Sequence, residues 1–298
     1  MTIFIQVVLP VLLIFLAGYG LQRWKRLDIK ALSTAALYIF TPMLVIQTFY
    51  RTDLDKQYLN MLIFSMILLL VLILICKIYC YFRKYDCSTE SGLILATAFM
   101  NSGNYGAPIV LFAYGEEAFV YAVSLLVLHA VLMNFFGIYY AARGNEGGKT
   151  ALKAVIEMPA TYAVLIAILI KVWDIQIPDN LMSAVDLLGP VTIPLVMLIL
   201  GMQLAEINLS KLQWEKISMA VIIRLFLSPA IAVGIIWLMP MDPVLAKVLI
   251  LTAAMPSAAN TVIFAVQYET EPDLVSSITL ITTLCSIFTV TIMLFLLG

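Results

Sequence analysis

Two apolar stretches of this chain carry residues that no lipid-embedded helix accommodates unbroken. The first reads Ala96-Thr97-Ala98-Phe99-Met100-Asn101-Ser102-Gly103-Asn104-Tyr105-Gly106-Ala107-Pro108, and the second reads Leu251-Thr252-Ala253-Ala254-Met255-Pro256-Ser257-Ala258-Ala259-Asn260-Thr261. Both contain the skeleton Thr-Ala-x-Met-x-Ser, and they lie at corresponding places in the two halves of the chain. A Gly, Pro or Asn interruption releases backbone N–H and C=O groups that hydrocarbon cannot satisfy, so each break must line a cavity inside protein. A matched pair of interrupted apolar segments is the strongest sequence pointer to a carrier's binding site.

The rest of the chain fits that setting. It is 63% hydrophobic and only 12% charged over 298 residues, far from the balance of a soluble domain. A span needs about 20 apolar residues. Ten such runs are predicted, at roughly 3–21, 31–50, 58–82, 89–114, 117–140, 151–172, 180–204, 216–238, 244–267 and 273–297. The fold class is therefore an all-α membrane protein. The longest polar link is 141–150, which leaves a first region at 1–140, a cytoplasmic linker, and a second region at 151–298.

Charge sets the predicted orientation. Arg23, Lys25, Arg26 and Lys30 follow the first span, with no basic residue before it, so this is no cleavable signal peptide and the first connection is cytoplasmic. Alternating from there, Arg51, Lys56, Lys171 and Lys247 fall outside and Arg224 falls within a span, while the other twelve of the seventeen Lys and Arg fall inside. Both termini are then outside a cytoplasmic (inner) membrane. Cys76, Cys80, Cys87 and Cys285 show no zinc spacing and read as small hydrophobes.

The halves repeat. Pro10 and Trp24 match Pro159 and Trp173, Ser33 and Pro42 answer to Ser183 and Pro194, and the two breaks supply the third match. Each half has an odd number of spans, so the second enters the membrane inverted, and the breaks in spans four and nine cross near the midplane. The second half-helices, starting near Pro108 and Ser257, present N–H groups there, and proline suits such a first turn. Ser102, Asn104, Ser257, Asn260 and Thr261 add neutral hydrogen-bonding groups, a combination that favours a carboxylate. The opposing carbonyl ends suit Na⁺. Against this stands plain kinking for close packing.

Charged groups within spans default to function. Arg224 lies about 12 Å into span eight; it snorkels, draws an anion inward, or ties its helix to a neighbour. Asp186 is an outer-vestibule or capping carboxylate, or a second auxiliary charge. Glu157 reads as interfacial. His129, the lone histidine, either bonds a core carbonyl or faces the cavity and contacts substrate.

At these motifs the sequence resembles the auxin efflux carrier family, the prokaryotic relatives of plant PIN-type auxin exporters. The likeness covers the whole chain and is carried by Asn101-Ser102-Gly103-Asn104-Tyr105-Gly106-x-Pro108, by Arg224-Leu225 with Pro229, and by the break in span nine. It implies a crossed-helix, elevator-like fold and transport of organic anions such as malate or malonate. The family's substrate region maps onto Asn101, Asn104, Tyr105, Pro108, Pro256 and Asn260. The run Met255-Pro256-Ser257-Ala258-Ala259-Asn260 departs from the plant Asn-Pro-Asn pattern, and the long central hydrophilic loop is missing, so small carboxylates rather than auxin are expected.

The expectation is a secondary carrier of small carboxylates, with H⁺ or Na⁺ as candidate coupling ions and no other cofactor. The other reading is an anion channel or a ligand sensor that does not transport. No metal cluster, nucleophile–base pair or phosphate loop points to an enzyme. Partners are the substrate and the lipid bilayer, with a homodimer allowed and no nucleic acid.

Overall fold

A computed structural model of the chain describes residues 9–51, 56–144, 166, 169–170, 173, 175–206 and 213–298. Most of span six, with Glu157 and Pro159, and most of the 141–150 linker lie outside the described residues. Among those described, the secondary structure is helical, and four helices are long and apolar enough to cross a membrane: Gln57–Arg83, Ala107–Arg143, Trp214–Leu238 and Pro272–Leu297.

The chain divides into two compact units. The first comprises Met1–Asp55, Gly103–Val131 and Met158–Glu206. It holds α1 (Leu9–Lys25), α2 (Ile29–Ala35), α3 (Thr41–Arg51), most of α6 (Ala107–Leu132), α8 (Asp179–Leu188) and α9 (Thr192–Glu206). The second comprises Lys56–Ser102, Leu132–Glu157 and Ile207–Gly298. It holds α4 (Lys56–Arg83), α5 (Cys87–Ala98), α7 (Ile138–Arg143), α10 (Trp214–Ile222), α11 (Ser228–Leu238), α12 (Pro243–Ala253), α13 (Asn260–Gln267) and α14 (Pro272–Leu297).

Proline shapes the helices at three points. Wider π-turns occupy Ala36–Phe40, Ser102–Gly106, Met133–Gly137 and Ile223–Leu227, and three of them end two residues before a proline: Pro42, Pro108 and Pro229. A proline gives no N–H to the carbonyl four residues back, and its ring crowds that carbonyl, so the preceding turn opens. In the third case the Ser228 N–H bonds Ile223 O, five residues back. The α6 helix kinks at Gly115, whose φ of +79° suits glycine alone. Glu116 and Glu117 there are exposed, at the point where the sequence divides span four from span five.

In the first unit α1 lies against α9 at backbone-contact distance. A Cβ on Gly18 would fall 2.2 Å from Leu198 O, and one on Gly201 would fall 2.0 Å from Phe15 O. The two glycines face each other's helix and set the separation, as small residues do where lipid offers no hydrophobic drive. Gln22, buried on α1, donates to Glu206 Oε1 at 2.6 Å and ties the same pair of helices.

In the second unit α5 packs on α4, α7 and α14, and α12 packs on α11 and α14. Every residue from Ser91 to Ala98 is buried, as is every residue from Val248 to Ala253. A helix apolar on all sides belongs inside protein, and both of these end in a break. Asp86 caps α5, accepting from Thr89 N at 3.1 Å. Hydrogen bonds from Thr89 hold the Asp86 carboxyl below its ordinary range.

Two outcomes are expected. Gly201→Val should collapse the first unit's packing, seen as a lower melting temperature and loss of a monodisperse peak in detergent. Asp86→Ala should weaken the start of α5 by about 1 kcal/mol. Because the folded-state pKa is lowered, that contribution is complete at neutral pH and disappears as pH falls through it. Melting curves of Asp86→Ala and the parent protein should therefore converge in acid.

Candidate functional site

The second unit contains the start of the first break, up to Ser102, and the whole of the second, and they pair. The chain leaves α5 at Phe99 in an extended conformation (φ −104°, ψ 120°). Met100 and Ser257 form an antiparallel bridge. Asn101 N donates to Pro256 O at 2.8 Å, and Ala258 N donates to Phe99 O at 3.0 Å. Pro256 has no N–H and contributes only its carbonyl, so the register leaves no donor wasted at that position. Two unwound segments thus satisfy one another, as the low-dielectric interior demands.

Side chains reinforce the crossing. Ser257, fully buried, donates its hydroxyl to Ala96 O, and its N–H donates to Thr282 Oγ1 at 3.2 Å. Thr282 in turn donates to Ser257 Oγ at 3.1 Å. Thr261, also fully buried, bonds Ala258 O at 2.6 Å. The second half-helix starts at Asn260 rather than at Ser257, because Ser257 and Ala258 remain extended to make the bridge. Ser257 therefore ties the two breaks through its hydroxyl, while Thr261 caps its own turn.

Arg224 stands beneath this pair. It is entirely buried. Its Nη1 donates to Thr97 O at 2.8 Å, and its Nη2 donates to Ala253 O at 2.7 Å and to Ser228 Oγ. Ser228 Oγ also reaches Ala253 O at 2.9 Å. One guanidinium thus joins the last turns of α5 and α12. Of the three roles open to Arg224 from the sequence, helix tying is the one the side chain performs. It does not snorkel, and the π-turn at 223–227 is the local feature that presents it.

Two buried side-chain donors at this crossing, Asn101 Nδ2 and Arg224 Nε, have no hydrogen-bond partner among the described residues. Asn101 is 4% exposed. A buried amide donor without an acceptor costs about 1–3 kcal/mol. Asn260, at the first position of α13, is half-buried. Ser102 is buried, and its N–H turns back to Met100 O at 2.9 Å.

Of the other residues singled out from sequence, Tyr105, Pro108, Asn104, His129 and Asp186 belong to the first unit, and Cys76 and Cys80 to the second. Tyr105 is fully buried in the π-turn Ser102–Gly106, with its ring 5.6 Å from that of Phe15. Pro108 is buried in the first turn of α6, and His129 is buried further along it. The Asn104 backbone lies in the same π-turn, while its side chain is outside the described set. Asp186 accepts from Gln47 Nε2 at 2.8 Å, which links α8 to α3. Cys76 and Cys80 are buried thiols, Cys76 lying 3.3 Å from Thr97 Oγ1. Among the described residues no group of His, Cys, Asp or Glu could hold a metal ion. Sequence reasoning missed Ser228 and Thr282; the signals were a serine four residues after Arg224 and the hydroxyl-rich run along α14.

Residues 3–294 match the family described as membrane transport protein. An "Uncharacterized transporter" of Methanothermobacter thermautotrophicus is 26% identical over 296 residues, covering 95% of this chain and 94% of the relative. Another of that description, from Methanocaldococcus jannaschii, is 26% identical, covering 96% of each chain. A "Putative malonate transporter" of Rhizobium meliloti is 25% identical, covering 89% of this chain and 86% of its own.

The hydroxyl network generates one prediction. Ser257→Ala removes the bond to Ala96 O and should cost about 1 kcal/mol of stability. Thr282→Val should cost a similar amount. The double variant should cost less than the two singles together, because the groups are coupled. Denaturation of the three variants in detergent checks this.

Proposed function

The chain belongs to the membrane transport protein family, the auxin efflux carrier relationship read from its motifs, and from that premise we propose that it is a secondary carrier of small organic anions. In this reading the ten spans form two inverted five-helix repeats, 1–140 and 151–298, joined by the 141–150 linker. The two breaks cross at mid-membrane, and alternating access carries a mono- or dicarboxylate past them. Both termini face the outside of a cytoplasmic membrane.

The observation that carries the proposal is the buried Asn101 amide without an acceptor. Its neighbours, the bridge and the hydroxyl network, are bonded to one another, so this neutral amide, beside the likewise unpartnered Nε of Arg224, is the donor proposed to meet a bound carboxylate oxygen. The start of α13, with Asn260 at its first position, adds the positive end of a helix dipole. The sequence reading alone adds Asn104, Tyr105, Pro108, His129 and Pro256 as proposed substrate residues, with Asp186 as an auxiliary charge. The name of the Rhizobium relative makes malonate the first compound to try.

The test is counterflow of labelled malonate and malate in proteoliposomes. Asn101→Leu should abolish exchange while leaving the melting temperature unchanged or higher, because it removes a buried donor that has no partner in the protein. Asn260→Ala should also abolish exchange. Full exchange in both variants would defeat the site. Conductance without counterflow would replace the carrier with a channel.

A further inference from the structure

In carriers built from discontinuous helices, the carbonyls at the cut C-terminal ends coordinate the coupling cation. Here a side chain of the protein stands at that place. Thr97 O and Ala253 O, from the last turns of α5 and α12, both accept from Arg224, with Ser228 bridging. Each helix C-terminus carries about half a negative charge. Two of them together balance one guanidinium, and among the described residues Arg224 makes no ion pair with a carboxylate. A planar, permanently charged fork spans two carbonyls in a way that a lysine ammonium does not.

We propose that Arg224 is a built-in counter-cation occupying the carbonyl-lined position at the crossing, so that this protein binds no Na⁺ there and works without it. The electrostatic consequence reaches the anion. With the negative helix ends cancelled by a fixed charge, the uncancelled poles of the broken helices are their positive N-termini, and a carboxylate meets them without a mobile cation arriving first. The transport half of this inference rests on the carrier reading above; the cation-binding half does not.

The experiment uses the purified full chain in two readouts, melting temperature in detergent and carboxylate counterflow in proteoliposomes. For the parent protein, replacing Na⁺ by choline should change neither. Arg224→Ala should melt lower and lose at least about tenfold in exchange, since the two helix ends are no longer held in register. Guanidinium at about 10 mM, far below its denaturing range, should raise the melting temperature of Arg224→Ala and restore part of its flux, with no effect on the parent. Arg224→Lys should fall between the two and gain nothing from guanidinium.

A parent protein stabilised or driven by Na⁺ would overturn the proposal, as would an Arg224→Ala protein that ignores guanidinium or matches the parent. If Arg224→Ala fails to fold even when purified in guanidinium, the Na⁺ arm on the parent and the Arg224→Lys comparison decide. A parent that exchanges no carboxylate would sink the carrier reading alone, since the melting curves still report on the guanidinium site.

Discussion

The structure of the second unit depends on one requirement: a helix cut open away from water must find partners for the backbone groups it exposes. Each broken helix has the same problem, and the solution is shared. The extended residues after α5 and after α12 bond to each other across the Met100–Ser257 bridge, and Arg224 gathers the carbonyls at the ends of both helices. Neither break is satisfied without the other. The crossing is thus a single cooperative feature, and removal of any member leaves buried polar groups on the rest.

Helix type and the position of the breaks were legible because they follow from local chemistry. Pro256 weakens a continuing helix, and α12 stops just before it at Ala253; α5 stops at Ala98, ahead of Gly103, Gly106 and Pro108, which lie in the π-turn and first α-turn that restart the helix. The kink at Gly115 was legible too, in that glycine and its two glutamates. The exact start of the last half-helix was not. Ser257 reads as the start of the half-helix in isolation, and only its bridge to Met100 keeps it out of that helix.

The role of Arg224 was hidden for a different reason. A lone arginine in an apolar segment has several uses, and one-dimensional sequence cannot tell a carbonyl acceptor from a missing carboxylate. The acceptors here are main-chain atoms, which every residue possesses, so no residue type marks them. The same applies to Gly18 and Gly201, whose meaning lies in the opposing backbone 2.2 and 2.0 Å from a would-be Cβ. Contacts to backbone are where a fold has the most freedom from sequence and sequence the least to say.

The division of labour at the crossing also bears on turnover. The permanent charge is bound to helix ends, while the group proposed to meet the ligand is a neutral amide. A charge placed directly against a buried carboxylate would make a pair that is costly to separate, whereas a neutral donor adds only about 1 kcal/mol net once water is accounted for. A carrier has to release on one face what it bound on the other, so a shallow well serves it better than a deep one. The unpartnered Asn101 amide costs the empty protein stability, and a ligand that accepts its hydrogen removes that cost. In the carrier we propose, binding would be favoured by relief of an internal deficit, which would keep the site selective for an acceptor without making its departure slow.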